Sequence, residues 1–561
     1  MTFIFILNVL IKSNKYKIEI LSKDDTILSI TIKSVFTKIK QVKDKSKNKK
    51  KFKEVEYKAN YTIKLVDSYN ILSHKLEDLT NTYSTEVRKD IFPYTFMTEQ
   101  TLFYVGPKPS KDYYNDDVSL TAYNEIPENW DAKSITLDYL EKDLVSLYQV
   151  ISKFSDYIYL NHTVQLTESV TISSLALKIY LTKFYSNNIP LINQNTIYKD
   201  IKESYFGGIT EVYKPYGEDL YYYDVNSLYP YAALNPIPGS PCTFESNIDL
   251  PLEKVNNFFG FYYCKIKTSD LYIGLLPYRN KSGVIKPNGE WEGWYFSEEL
   301  KFAALKGYAI TVLKGYSFNK EYDVFKGYVE HFYNVKSTTK DNTEKAVSKS
   351  LLNNLLGQFG LDLDKSKTNI FTEEEFNKIV QTKDVIAFHN IGDKIFLNYK
   401  NKVNQDICDS LSVDYKEAVL NSLINKEYKE DPFKDVSIAI ASAVTAYARI
   451  HMNKVKLDIL DKGGLIYYSD TDSIVTNKAL DPSEIGPELG LFKLEYQVKR
   501  GNFISSKTYC LALNEATPIK VKGVDHYTLI KAKGVNNHKL SEQDFIYLYK
   551  GFDIKTSRTE S

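Results

Sequence analysis

The sequence predicts a mixed α and β protein built from several domains, and three observations carry that reading. Its 561 residues are too many for one hydrophobic core, so roughly three or four units of about 100 to 200 residues are expected. A hydrophobic fraction of 43% is enough to fill such cores. Along the chain, apolar runs with a helical period alternate with short apolar stretches bounded by turn residues, the signals of helices and strands respectively.

Taken in order, residues 2–11 (TFIFILNVLI) read as a buried strand or helix. The run is too short to cross a bilayer, and mixed charge follows it instead of a small-residue cleavage site. No run of eighteen or more uncharged apolar residues occurs elsewhere. Residues 38–58 are nearly a lysine tract, which repels itself and reads as a disordered or hairpin-tip loop, with a DNA-contacting arm as the functional alternative. Residues 144–184 suggest two helices joined near 159–163. Residues 221–230 read as an aromatic strand followed by a helix that Pro230 opens. Residues 437–456 form a small-residue helix that must pack closely, and residues 463–475 read as a hairpin.

The formal charge of +1 gives no global attraction to nucleic acid, so any such binding must come from local clusters. Cys242, Cys264, Cys408 and Cys510 have no paired spacing, which argues against a zinc site or a disulfide framework and for ordinary core residues. Abundant Tyr, Lys, Asn and Ile with scarce Met and Trp suggests AT-biased coding, as in organellar, plasmid or viral genomes.

Three segments carry residues suited to phosphoryl transfer. YYYDVNSLYP (221–230) ends its strand on Asp224, where an acid is held rigidly facing a cleft and the Val225 carbonyl can offer a second oxygen to the same cation. Taken alone, Asp224 could equally cap the following turn. GGLIYYSDTDSIV (463–475) carries Asp470 and Asp472 at the hairpin tip, and residues two apart on an extended chain share a face. An EF-hand beginning at Asp470 is excluded, because it needs Gly where Val475 stands and Glu where Asp481 stands. KSLLNNLLGQFG (349–360) reads as helical, with Lys349, Asn353 and Gly357 recurring on one face. A cation and an amide on one stripe suit a triphosphate, although a lysine on an amphipathic helix is commonly just solvated. A strand acid, a helix lysine and a strand Asp-x-Asp together form the set that two-metal phosphoryl transfer requires.

On these residues the chain resembles the family B DNA polymerases, and within them the protein-primed branch of certain bacteriophages, adenoviruses and linear mitochondrial plasmids. DVNSLYP is similar to that family's motif A, KSLLNNLLG to motif B and YSDTDS to motif C. YFGG (205–208) resembles the linker motif that touches the template, and KTY (507–509) the motif that holds the primer terminus. The resemblance implies a right-hand polymerase with palm, fingers and partial thumb, preceded by an incomplete ribonuclease H-like exonuclease domain. Its implied limits are 1–185 for the exonuclease remnant, 200–250 for linker and palm, 251–335 for a first insertion and 336–360 for fingers; 361–435 would be a second insertion, 436–515 palm and 516–561 partial thumb.

The activity so implied is DNA-directed DNA synthesis, adding deoxynucleoside triphosphates to a primer 3′-hydroxyl with two Mg2+ ions, or Mn2+. Asp224, Val225, Asp470 and Asp472 would hold the metals, Asp470 carrying more of the coordination than Asp472. Val225, Leu228, Tyr229, Lys349 and Asn353 would bind the nucleotide: Lys349 the phosphates, Tyr229 the sugar, so as to exclude a 2′-hydroxyl, and Asn353 the nascent pair. Tyr205, Gly207, Gly208, Thr471, Lys507 and Tyr509 would contact DNA. The implied partners are template, primer, nucleotides and a terminal priming protein held by the insertions, without a membrane, and the implied location is the mitochondrion. Motif B departs from the family at Asn354, usually Ser, and Leu356, usually Tyr, which bears on base-pair checking more than on phosphate binding.

YLEKD (139–143) resembles the third exonuclease motif, with Tyr139 orienting water and Asp143 binding metal. Residues 63–79 and 89–93 resemble other segments of that domain, with Lys75 where Ser or Thr is expected and Asp67 reading as structural. No Asp-x-Glu strand and no Asn-x-x-Phe-Asp precedes Tyr139, so the sequence is expected to begin inside the exonuclease domain and to lack proofreading. Two rivals stay open: a catalytically inactive DNA-binding relic, and a reverse transcriptase, whose acidic turn is usually a contiguous Asp-Asp.

Overall fold

The computed structural model describes residues 2–13, 16–23, 26–43, 52–114, 118–185, 189–190, 192, 195–281, 283–361, 366–424, 437–521, 524–535 and 540–555. Two units divide the chain: Met1–Ile179, Thr339–Val347 and Asp362–Asp431 form the first, and Tyr180–Thr338, Ser348–Leu361 and Pro432–Ser561 the second.

In the first unit the opening apolar run is a helix, Thr2–Ser13, whose Leu7 and Ile11 lie four apart and are buried with Ile30. Strands Lys17–Lys23, Thr26–Lys43 and Phe52–Val66 follow as an antiparallel sheet in chain order. The lysine tract is therefore not loop for most of its length. Lys38 pairs with Tyr57 and Lys43 with Phe52 in a long two-stranded ribbon, because ladder bonding satisfies the backbone whatever side chains project. Residues 44–51 lie outside the described residues. Asp67 accepts from the Tyr69 amide at 2.9 Å and caps a turn.

Helix Ala132–His162 starts earlier than the sequence period indicated, at Asp131, whose carboxylate accepts from the Ser134 amide at 3.1 Å. Ser146, Val150, Phe154, Ile158 and His162, each four apart, form its buried stripe. It ends where Thr163 turns left-handed (φ 55°), and a second helix follows at Ile172–Ile179. Strands Ser366–Phe371, Lys383–Ile391 and Lys394–Val403 form a small sheet with the last in the middle, joined to the N-terminal core through Ile370, Ile391 and Phe396.

The second unit is organised by a seven-stranded antiparallel sheet: β1 (Thr210–Val212), β2 (Tyr216–Val225), β3 (Ile466–Asp470), β4 (Ser473–Thr476), β5 (Phe492–Ser505), β6 (Thr508–Leu513) and β7 (Thr528–Ala532), ordered β7-β6-β5-β2-β4-β3-β1. Leu220, Tyr468, Val475, Val498, Phe503 and Leu511 fill its core. A second sheet contains Ile237–Glu245, Gly260–Lys267, Glu290–Phe296 and Ala309–Glu321. Helix α1 (Asn342–Asn354) crosses the unit boundary, and helix α2 (Ile438–Asp461) is buried on nearly every side, as its small residues require. Cys264, Cys408 and Cys510 are buried, but Cys242 is exposed, because its strand leaves the core after Gly239. Among the described residues, no helix is long and apolar enough to cross a membrane.

Candidate active site

Asp224 sits near the end of β2, flanked in register by Ser473 of β4 and Lys493 of β5. A central strand with neighbours on both sides fixes the direction of its side chain. The next amides are fixed as well: Val225 N–H donates to the Asp472 carbonyl at 2.9 Å and Asn226 N–H to the Leu491 carbonyl at 2.9 Å.

The expected hairpin joins β3 to β4 through Thr471 and Asp472, with Asp470 paired to Ser473. The expectation that Asp470 and Asp472 share a strand face is corrected here. Thr471 has φ 54°, so the chain turns between the two acids and the alternation of an extended strand stops at Asp470. Asp470 Oδ1 accepts from Thr210 Oγ1 at 2.8 Å and Thr471 Oγ1 at 3.2 Å, and its Oδ2 pairs with Lys507 Nζ at 2.6 Å. Asp472, in the turn bonded to Val225, instead acts on Asp224. Burial, then Asp472 and Glu495, push the Asp224 carboxyl up to about 7 against the pull of Lys493 and Lys349. Asp472 is also raised, by burial first and by Asp470. Among the described residues no three His, Cys, Asp or Glu side chains converge tightly enough to form a ready-made metal cage.

Lys349 and Asn353 are both exposed on α1, and Lys349 lies close enough to act on Asp224. The helical stripe does not reach Gly357: α1 ends at Asn354 and a 3-10 turn, Leu356–Gln358, follows, with Gly357 exposed and nothing within 4 Å of a Cβ built there. Tyr229 is mostly buried and accepts from the Gly208 amide; its hydroxyl is raised to about 12, by burial first. Leu228 is only 2% exposed, so its side chain serves the core and cannot touch a nucleotide. Tyr509 is likewise core in its ring, against Tyr468 and Phe503, with its hydroxyl 3.5 Å from that of Tyr222.

Gly207 and Gly208 are exposed, and Tyr205 is half-buried. The linker segment is pinned by two residues that sequence reasoning missed. Arg449 of α2 donates to the carbonyls of Phe206 and Gly207 while making a bidentate pair with Glu299 at 2.7 and 2.8 Å. Arg279 donates to the Tyr205 carbonyl at 3.1 Å. An arginine that follows eleven uncharged, mostly small residues of α2 was the available signal for Arg449, since a buried charge requires partners. Glu495, beside Asp224, was also missed and stands in an ordinary mixed strand with nothing to mark it.

In the first unit, the Tyr139 hydroxyl is hydrogen-bonded to Tyr94 and Asp143, and its ring stacks on Phe92 at 4.4 Å. Asp143 Oδ1 is buried with no hydrogen-bond partner. The expected pair is thus adjacent, and the neighbouring Lys142 is bound to Asp90 and Asp138 at 2.8 Å each.

With the geometry in place, four similarities bear on it. The family described as DNA polymerase type B, organellar and viral, matches residues 2–459. The chain is 44% identical over 543 residues to a probable DNA polymerase of Podospora anserina, covering 95% of this chain and 43% of that protein. To a probable DNA polymerase of Neurospora intermedia it is 33% identical over 480 residues, covering 81% and 46% respectively. It therefore spans less than half the length of these curated relatives. Among solved structures, phi29 DNA polymerase complexed with primer-template DNA aligns with a TM-score of 0.63 at 17% identity, over 96% of this chain and 84% of that one. The mixed α and β fold expected from the motifs is thus the fold of a phi29-type polymerase.

Proposed function

Because this chain belongs to the organellar and viral type B DNA polymerases, we propose that it extends a DNA primer by template-directed addition of deoxynucleotides. One observation carries the proposal: Asp224 at the end of β2 lies beside the turn that carries Asp472, the Val225 amide donating to the Asp472 carbonyl at 2.9 Å, with Lys349 acting on Asp224 from α1. Crowded, half-buried carboxylates that lift Asp224 to about 7 have an unmet need for a cation, and an all-oxygen donor set suits Mg2+ or Mn2+. Asp224, Asp472 and the Val225 carbonyl would hold the two ions. When bound, they supply Lewis-acid activation of the primer hydroxyl and neutralise the departing pyrophosphate. Asp470, whose oxygens are engaged by Thr210 and Lys507 in the DNA-free chain, would join these ligands once Lys507 leaves.

Lys349 neutralises the triphosphate and Asn353, one turn on, meets the nascent pair. Tyr229, fixed by Gly208, forms the floor under the sugar and discriminates against a 2′-hydroxyl. Gly207, Gly208 and Thr471 approach the template, and Lys507 moves from Asp470 to a primer phosphate. The likeness in fold to the phi29 enzyme complexed with primer-template DNA supports this placement. Residues 200–250 and 436–515 would be palm, 336–360 fingers, 516–561 part of the thumb and 1–185 part of the exonuclease domain. The segments 251–335 and 361–435 would receive a terminal priming protein, in a mitochondrial setting.

Extension of a labelled primer on a DNA template, with Mg2+ and all four deoxynucleotides, tests the proposal. Growth of the primer that disappears in Asp224→Asn is expected. Tight primer-template binding with no extension under either Mg2+ or Mn2+ would leave the inactive relic as the correct reading.

A further inference from the structure

Behind the acidic turn lies a second group of charges that the proposed chemistry does not use. Glu211 on β1 is flanked by Lys286 Nζ and Lys456 Nζ, each 3.4 Å from its Oε2, and both lysine side chains are only 3% exposed. Lys456 also donates to Tyr213 OH at 3.2 Å, Tyr213 donates to Glu211 at 2.5 Å, and Lys286 donates to Asn453 Oδ1 at 3.0 Å. Two buried ammonium groups thus share one carboxylate, and the remaining cation nearby, Arg449, is already neutralised by Glu299. Buried charge in excess of its partners is costly. The cost registers on Lys456, which burial and then Lys286 hold down to about 7.

The same two lysines line a cavity of about 20 Å³, room for one water-sized atom. Gly208, Tyr229 and Thr471 also line it. These three belong to the linker, sugar and acidic-turn segments already placed beside DNA and nucleotide.

We propose that this cavity is an anion site, which receives one non-bridging oxygen of a DNA backbone phosphate and uses Lys286 and Lys456 as its cations. The volume admits a single oxygen but not a whole phosphate, so the phosphorus stays at the rim, as it does when a strand lies across the opening. The second buried charge is then matched only when DNA is present. The site rests on the polymerase reading for its ligand, and its charged groups come from three segments distant in sequence.

The test is fluorescence anisotropy of a labelled primer-template duplex with the full chain, without nucleotide and with EDTA, across a KCl series. Lys286→Met and Lys456→Met should each weaken binding several-fold at low salt and flatten the slope of log K against log salt by about 0.9, one phosphate contact. Glu211→Gln removes the carboxylate that both lysines share and leaves the phosphate oxygen as their anionic partner, so at pH 6, below the value of about 7 to which Lys456 is held, it should bind at least about twofold tighter. Folded lysine variants with wild-type affinity and slope would overturn the site and make the cluster a closed ion network. If the lysine variants do not fold, Glu211→Gln decides alone: tighter binding upholds the site, and unchanged or weaker binding overturns it. A wild-type chain that fails to bind the duplex sinks the polymerase reading itself, whereas wild-type binding with indifferent variants sinks only this site.

Discussion

Gly208→Ala probes the lock between the linker and the acidic turn. A Cβ at this position would lie 2.2 Å from Thr471 Oγ1, 2.5 Å from its Cγ2 and 2.7 Å from its Cβ, where ordinary contact begins at 3.4 Å. Thr471 cannot step aside cheaply: its amide donates to the Ile209 carbonyl at 3.1 Å, its φ is 54°, and its hydroxyl donates to Asp470 at 3.2 Å. The turn must therefore move by on the order of 1 Å, at an overpacking cost of roughly 1–3 kcal/mol. A displacement of about 1 Å at reacting groups lowers turnover on the order of 10²-fold. Thr471→Gly removes all three colliding atoms and tolerates positive φ. Single-turnover primer extension and urea unfolding should show Gly208→Ala slow and destabilised, with Gly208→Ala/Thr471→Gly recovering most of both, a coupling of about 1 kcal/mol or more. The lock is refuted if Gly208→Ala extends within about twofold of wild type, or if the double variant is no better than the single.

Four further outcomes follow from the same geometry. Asp472→Asn and Asp470→Asn should each reduce extension by about 10³-fold or more, as expected of acids that hold the cations; a steady-state rate near wild type for either would remove that acid from the metal site. Lys349→Ala should raise KM for nucleotide with little change in duplex affinity, and a change confined to duplex affinity would remove it from the triphosphate. Arg449→Met leaves Glu299 buried without its partner and should cost about 3–5 kcal/mol in urea unfolding, well above a surface substitution. Lys456 is held down to about 7 in the fold but stays protonated to 10.5 when unfolded. Above pH 7 the unfolded chain then binds the extra proton and stability must rise, until tyrosines begin to ionise at about 9.5. Urea midpoints should climb over that interval, and Lys456→Met should flatten the climb.

Much of the fold was legible because local pattern and tertiary need agreed. Residues 437–456 announced a buried helix through small residues alone, and α2 extends to Asp461. The YSDTDS hairpin declared itself through apolar runs on both sides of a polar turn, and β3 and β4 occupy those runs. Legibility failed where pattern and packing separate. Charge on residues 38–58 masked a β-ribbon, since self-repulsion of side chains does not prevent backbone pairing. A four-residue stripe from Lys349 to Gly357 overshot, because periodicity cannot register that Leu355 and Leu356 turn into the core and end α1 at Asn354. Leu228 was assigned to the nucleotide from motif position alone, while its burial depends on contacts that no local pattern encodes.

The site divides in the same way, between the part that residue type dictates and the part that environment dictates. That Asp224, Asp470, Asp472 and Lys349 belong together comes from the chemistry of phosphoryl transfer, which demands acids and a cation in one place. The role of each acid depends on neighbours far away in sequence: Thr210 and Lys507 engage Asp470, whereas Glu495 and Lys493, two strand positions apart on β5, set the field at Asp224. The pairing also links binding to catalysis. A Lys507 that leaves Asp470 for a primer phosphate would strip the counter-charge from the acidic turn at the moment the primer arrives, making the turn more attractive to cations when it is needed. Lys507→Met should accordingly tighten Mn2+ binding to the DNA-free chain, measured by titration calorimetry, and reduce the gain in Mn2+ affinity that primer-template DNA confers. If Mn2+ binds the variant and wild type equally in the absence of DNA, the ion pair is incidental and Lys507 acts on the primer alone.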